Sequence, residues 1–247
     1  MYRNARKKII HRILFIVLIF GMLFGTGIYI LKYEVQGESN MPFKITKISI
    51  AQSVEGIEES EHQEKWNFNI SENNDIYIYI EKNSGYNKTE IIKNILINNI
   101  KINKENSKGE IKTYKPVEDE KTMFKNIKES EINEIIYTGE LESNIKQQKI
   151  SNQGGIVAFR YAINNISKYV SNENEMVDYG KFLQLTNIKE EDIQTNITFD
   201  LTITLTTGRK YQTNIQIDIP AKEVIEKGVS GIELTEFNNL IFKRIEN

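Results

Sequence analysis

The sequence predicts a mainly β protein: a single N-terminal transmembrane helix, then an antiparallel β-sandwich-like extracytoplasmic domain with a few short helices. Three observations carry this. Residues 13–31, ILFIVLIFGMLFGTGIYIL, contain no charge. Residues 195–219 alternate apolar and polar side chains on both arms of a glycine-containing turn. Elsewhere, short β-branched runs are separated by turns, without the strand-and-helix alternation that builds a parallel sheet.

The apolar run comes first. Nineteen residues (13–31) at about 1.5 Å each make a helix of roughly 28 Å, close to the ~30 Å hydrocarbon core of a bilayer. A core helix of that length in a soluble domain needs a polar face, and this run has none. Arg3, Arg6, Lys7, Lys8 and Arg12 precede it with no acid among them, while Lys32, Glu34 and Glu38 follow it. That asymmetry predicts a cytoplasmic N-terminus and an exported C-terminal bulk, localised to the cell membrane as a single pass. A cleaved signal peptide is the competing reading, with Val35-Gln36-Gly37 as the cut. The apolar run, however, is longer than the ~7–15 residues usual for a signal. With no cysteine in the chain there is no lipoprotein attachment. Gly21 and Gly25 form a GxxxG spacing, which lets two spanning helices approach closely. Glycine is common in membrane helices, so the spacing alone supports no homo-oligomer.

The predicted division is a cytoplasmic basic tail (1–12), the span (13–31), a polar linker (32–41) and a β-rich extracytoplasmic domain (42–247). The polar stretch at 116–130 is where a second domain boundary would fall. Within the β-rich part, FKITKISI (43–50) reads as a strand after Pro42. The acidic run EGIEESEHQE (55–64) reads as unstructured. Trp66, Phe68 and Ile70 alternate with asparagines, a half-buried strand, and DIYIYIE (75–81) has two bulky faces, a central or covered one. Thr89 and Glu90 suggest the cap of a short helix over Ile91 and Ile92. ILINNIKIN (95–103) either continues that helix or, as its Ile and Asn content suits better, forms a strand; EIKTY (110–114), 132–138 and 155–163 are further strand candidates.

The hairpin over 195–219 is the clearest element. Ile197, Phe199, Leu201, Ile203 and Leu205 share one face, and Thr198, Asp200, Thr202, Thr204 and Thr206 the other. Thr207-Gly208-Arg209-Lys210 turns the chain, and Tyr211 to Ile219 returns until Pro220. The polar face is expected to be wet, and the register is strongly specified because a one-residue slip exchanges the faces. A short helix over 221–227 stops at Gly228, with one or two strands over 232–244.

Composition excludes several functions. Beyond the basic tail, 27 Lys and Arg stand against 34 Asp and Glu, a net of −7. Such a domain repels nucleic acid and anionic lipid as a whole. Zero cysteines in an exported chain, with heavy use of Ile, Asn, Lys and Glu, points to a bacterial envelope and an AT-rich genome. The four N-x-S/T sequons at Asn69, Asn87, Asn165 and Asn196 are what so asparagine-rich a chain contains by chance.

His11 lies in the tail and His62 alone in the exported part, inside an acidic stretch. A Ser-His-Asp hydrolase has no other histidine to use, and zinc has no His or Cys cluster. No phosphate-binding glycine motif occurs, and Gln153-Gly154-Gly155 reads as a turn into a strand. Glu58, Glu59, Glu61 and Glu64, and Asn172 to Glu175 with Asp178, offer oxygen ligands without the order of a calcium loop. They read as solvated acidic loops. Trp66, Tyr77, Tyr79, Tyr161 and Tyr169 would make a sugar-stacking platform only if one surface gathered them; packing is the expected role. No catalytic, cofactor-binding or metal residue is assigned. The expected function is a non-enzymatic interaction or structural module of the envelope, with an envelope protein or the wall as partner. A carboxylate-dependent carbohydrate hydrolase or a small-ligand-binding domain is the alternative.

Overall fold

The computed structural model describes residues 2–35, 41–59, 65–105, 108–116, 134–141, 148–171, 176–237 and 240–245, with backbone alone at 2–13 and 31–35. In chain order the elements are α1 (Tyr2–Tyr33), β1 (Glu34–Val35), β2 (Phe43–Glu58), β3 (Asn67–Lys82), β4 (Ile92–Lys104), β5 (Glu110–Tyr114), β6 (Ile135–Gly139), β7 (Gln148–Ile150) and β8 (Gly154–Val170). A 3₁₀ turn at Tyr179–Lys181 precedes α2 (Phe182–Leu185) and α3 (Glu190–Ile193). Then come β9 (Thr195–Leu205), β10 (Lys210–Ile219), α4 (Lys222–Lys227), β11 (Val229–Leu234) and β12 (Phe242–Ile245).

Two sheets face each other. One has seven strands in the order β1-β12-β10-β9-β4-β6-β7, the other five in the order β11-β2-β3-β8-β5. All pairs are antiparallel except β6 with β7. Between the sheets lies one core, in which Phe159 of β8 meets Phe199 of β9 edge-on at 5.2 Å. Strands from either side of residues 116–130 pair in both sheets, β4 with β9 and β3 with β8. A cut there would tear both sheets; residues 117–130 themselves lie outside the described ones.

The hairpin forms, with Lys210 opposite Thr204 and Ile219 opposite Thr195; the turn closes before Lys210, which is already the first residue of β10. Ile197, Phe199, Leu201, Ile203 and Leu205 are fully buried. Gly208 adopts the positive φ, +84°, that the turn requires. α4 ends as expected at left-handed Gly228, whose N–H donates to the Val224 carbonyl.

Other expectations change. The two strands read at 66–70 and 75–81 are one sixteen-residue strand, β3, central in its sheet. The turn expected from Thr89 is not helical: Ile91 and Ile92 lead straight into β4, because Ile92 N–H bonds to the Asn152 carbonyl and Ile92 pairs with Leu205. β2 continues to Glu58, through the first residues of the supposedly unstructured acidic run; residues 60–64 lie outside the described ones. The linker includes a paired dipeptide, β1, with Glu34 opposite Lys243. α2 and α3 had no sequence signal.

Asparagine builds the irregularities. Asn99 and Asn165 take positive φ of 52° and 54° at bulges in β4 and β8. Asn is the side chain most tolerant of that region after glycine, which gives the asparagine-rich composition a structural use.

The three central strands of the smaller sheet, β2, β3 and β8, are longer than any strand of the larger one. β2 and β3 have sixteen residues each, about 50 Å, while β9 has eleven. Beyond the start of β9 the core is closed by Phe182 and Leu183 of α2, Ile193 of α3 and Val224 of α4. Phe182 sits against Gly56, where a Cβ would lie 2.4 Å from its ring. At β8, β5 pairs only residues 160–164. Further along the same strand, the buried Tyr137 hydroxyl donates to the Ala158 carbonyl at 2.7 Å and accepts from its N–H at 2.8 Å, joining the two sheets.

α1 runs directly into β1 and so into the larger sheet. From Leu14 to Ile30 its large apolar side chains are exposed on every side. Among the described residues no helix is long and apolar enough to cross a membrane; side chains are described for 14–30, seventeen positions.

Candidate functional site

Three places concentrate chemistry or exposed apolar surface: a polar cluster in the core, an aromatic end and a trough on one outer face.

The cluster interrupts the core face of the smaller sheet. Counting by twos along β3, Phe68, Ile70, Glu72, Asn74, Ile76, Ile78 and Ile80 all point inward and all are buried. Gln52 of β2 lies opposite Asn74, and Tyr161 of β8 flanks it on the other side. Gln52 Nε2 donates to Glu72 Oε1 at 3.0 Å and to Asn74 Oδ1 at 3.1 Å. The Tyr161 hydroxyl shares a 2.5 Å hydrogen bond with Thr195 of β9. Glu72 Oε2, Gln52 Oε1 and Asn74 Nδ2 have no hydrogen-bond partner among the described residues. Glu72 is 0 % exposed. Burial pushes its carboxyl up to about 8, against the lowering effect of the Asn74 and Gln52 contacts. The Tyr161 hydroxyl is raised by the same burial, with the Glu72 charge adding to it. A carboxyl of this kind stays protonated at neutral pH, but nothing dissolved in water can touch it.

The aromatic end lies where β2 finishes, past the limit of the larger sheet. Phe182 and Phe68 form its floor, 5.3 Å apart. Tyr179 stands edge-on to both, and Trp66 stacks beside Phe68 at 6.2 Å. Trp66 and Tyr179 are about half exposed, at 51 % and 54 %, and Ile57 and Val170 are exposed as well.

The trough lies on the outer face of the seven-stranded sheet and has a volume of about 620 Å³. The pairing registers make two adjacent rows. The first runs Thr138, Asn94, Thr204, Lys210, Ile245; the second runs Ile136, Leu96, Thr202, Gln212, Lys243. Thr202 and Thr204 were expected on a wet face. They are 4 % and 8 % exposed instead, because they form the floor beneath longer neighbours on β4 and β10. Lys93, displaced by the bulge between Ile92 and Asn94, borders the same trough.

The aromatics considered for a sugar platform are not brought together. Trp66 and Tyr169 are at the aromatic end, Tyr77 and Tyr79 are half-buried on the outer face of the smaller sheet, and Tyr161 is in the core. Gln153, Gly154 and Gly155 lead into β8 and line a second hollow of about 400 Å³ with Tyr79 and Lys82. Of the acidic groups, Glu59 is ion-paired to Lys168, and Asp178 to Lys181. Residues 61, 62, 64 and 172–175 lie outside the described ones, His62 included. Among the described residues no three His, Cys, Asp or Glu side chains gather as a metal site. Gly21 and Gly25 face open space on α1.

Sequence reasoning missed both the core cluster and the trough. The cluster had a signal: Glu72 and Asn74 sit in phase with the apolar residues on either side of them. The trough had none in any one strand, since it exists only once five strands are in register. No family model, no curated protein and no solved structure matches this chain, so its own geometry is what bears on function.

Proposed function

We propose that the protein is a single-pass membrane protein, with its N-terminus cytoplasmic and its sandwich extracytoplasmic, acting as a non-enzymatic interaction module of the bacterial envelope. The observation that carries this reading is α1. Its residues 14–30 expose apolar side chains all around the helix, with no polar face to turn to water, and the uncharged run extends to 13–31 in the sequence. The basic residues before it and the acids after it orient the chain.

The aromatic end supports an interaction role. Contiguous exposed aromatics mark surfaces that another molecule covers. They gather at the far end of β2, about 50 Å of strand from the point where it begins. The hydrolase alternative requires two carboxylates open to a sugar. The carboxyl with the raised pKa, Glu72, is sealed between the sheets and cannot reach one.

The test is crosslinking on intact cells with a C-terminal tag, alongside protease treatment of the same cells. The expected result is a tag digested from outside and a reproducible envelope partner that is lost in Trp66→Ala. A protected tag would overturn the topology. An accessible tag with no partner would overturn the interaction module.

A further inference from the structure

We propose that the trough on the outer face of the seven-stranded sheet binds a phosphodiester, held by Lys93 and Lys210 above the hydroxyls of Thr202 and Thr204. The eleven residues that line it include these two lysines and no carboxylate, in a domain that carries a net of −7. Neither lysine has a carboxylate partner among the described residues.

The floor adds a second, independent observation. Thr202 and Thr204 are more than nine-tenths buried, yet their hydroxyls make no hydrogen bond among the described residues. They stand with the Asn94 and Gln212 amides on either side, as direct cross-strand neighbours. Neither hydroxyl is among the fully enclosed polar atoms that lack a partner, so both open into the trough itself, and a phosphate oxygen accepts from hydroxyl, amide and ammonium alike. On this face the Asp200 carboxylate lies one row further along, where Asn99 and Asn214 each donate to it at 2.7 Å. Lys243 in the second row is already engaged. Leu96, Ile136 and Ile245 supply an apolar border, which suits an ester with a carbon chain better than a bare inorganic ion.

The position narrows the source to two. Lys210 pairs with Ile245, and two residues back along β12 Lys243 pairs with Glu34, directly after α1. The lysine end of the trough is therefore level with the end of the helix. If α1 spans the membrane, as proposed above, a lipid headgroup is within reach; a soluble or wall-borne polyol phosphate has the same chemistry and needs no anchor.

The experiment uses the full chain in phosphatidylcholine nanodiscs. In one arm glycerophosphoglycerol is titrated in solution; in the other, nanodiscs carry a photo-activatable phosphatidylglycerol and the labelled peptides are mapped. The expected result is saturable binding that weakens about tenfold in Lys93→Gln/Lys210→Gln. It should also weaken in Thr202→Val/Thr204→Val and remain unchanged in Lys112→Gln/Lys222→Gln, with unfolding midpoints confirming that all three fold. Binding in the soluble arm alone supports a free phosphodiester, whatever the topology of α1. Labelling of β4 and β10 alone supports a headgroup. No saturable signal in either arm, or an equal loss in the control pair, would overturn the site.

Discussion

β9 and β3 are both central strands with alternating faces, and they spend that pattern differently. Every inward residue of β9 from Ile197 to Leu205 is apolar and fully buried. On β3 the inward row breaks at Glu72 and Asn74, two polar side chains in the same core. The difference follows from what each strand faces. β9 lies wholly opposite the other sheet, whereas β3 runs past the start of β9 to where short helices close the core. A polar row is tolerated at that transition, and it fixes which residues of β2, β3 and β8 stand together.

The largest effect expected from breaking this contrast is on the β9 side. Phe199→Ala removes a fully buried ring and its edge contact with Phe159. It should cost about 3–5 kcal/mol, read from urea unfolding of the tagged full chain in detergent.

Glu72→Gln sharpens the comparison from the β3 side. The Glu72 carboxyl is raised from 4.5 to about 8 on folding. The folded state therefore binds the proton more tightly than the unfolded chain. Its contribution is fully present below pH 4.5 and is lost as pH rises toward 8. Glutamine copies the protonated form, so the variant should match the parent near pH 5 and exceed it at pH 8 by about 3 kcal/mol. Parallel stability curves for the two proteins would remove the buried acid from the account.

Tyr137→Phe tests the junction between the sheets. Both bonds to Ala158 disappear while the ring remains, leaving a buried N–H and carbonyl unsatisfied. The expected loss is about 2 kcal/mol in the same unfolding assay, with faster hydrogen exchange at Ala158.

Trp66→Ala should have the smallest effect on stability, about 1 kcal/mol or less, because the ring is 51 % exposed. Its effect belongs to partner capture instead. A large loss of stability with intact capture would make the aromatic end part of the core rather than a surface for binding.

The elements legible in the sequence are those whose neighbours are local. The β9–β10 hairpin declares its register because two matched alternating runs meet at a glycine turn, and α4 declares its end at Gly228. β3 was misread as two strands because a polar tetrad looks like a loop when only its hydropathy is considered. Its phase, Phe68 through Ile80 by twos, carried the correct answer. The short helices α2 and α3 were invisible: four residues each hold too little periodicity, and burial of Phe182, Leu183 and Ile193 supplies what propensity does not.

The sequence by itself determined the uncharged apolar segment and its basic flank, the β class, the hairpin and its faces, and the lack of histidine and cysteine chemistry, since each is written in neighbouring residues. Only the tertiary structure decided that β3 is one strand, that Glu72 is sealed in a core rather than open in a cleft, and that Lys93 and Lys210 border a single trough. Those facts depend on strand register and sheet overhang, which bring together residues more than a hundred positions apart in the chain and leave no mark on the local pattern of any one strand.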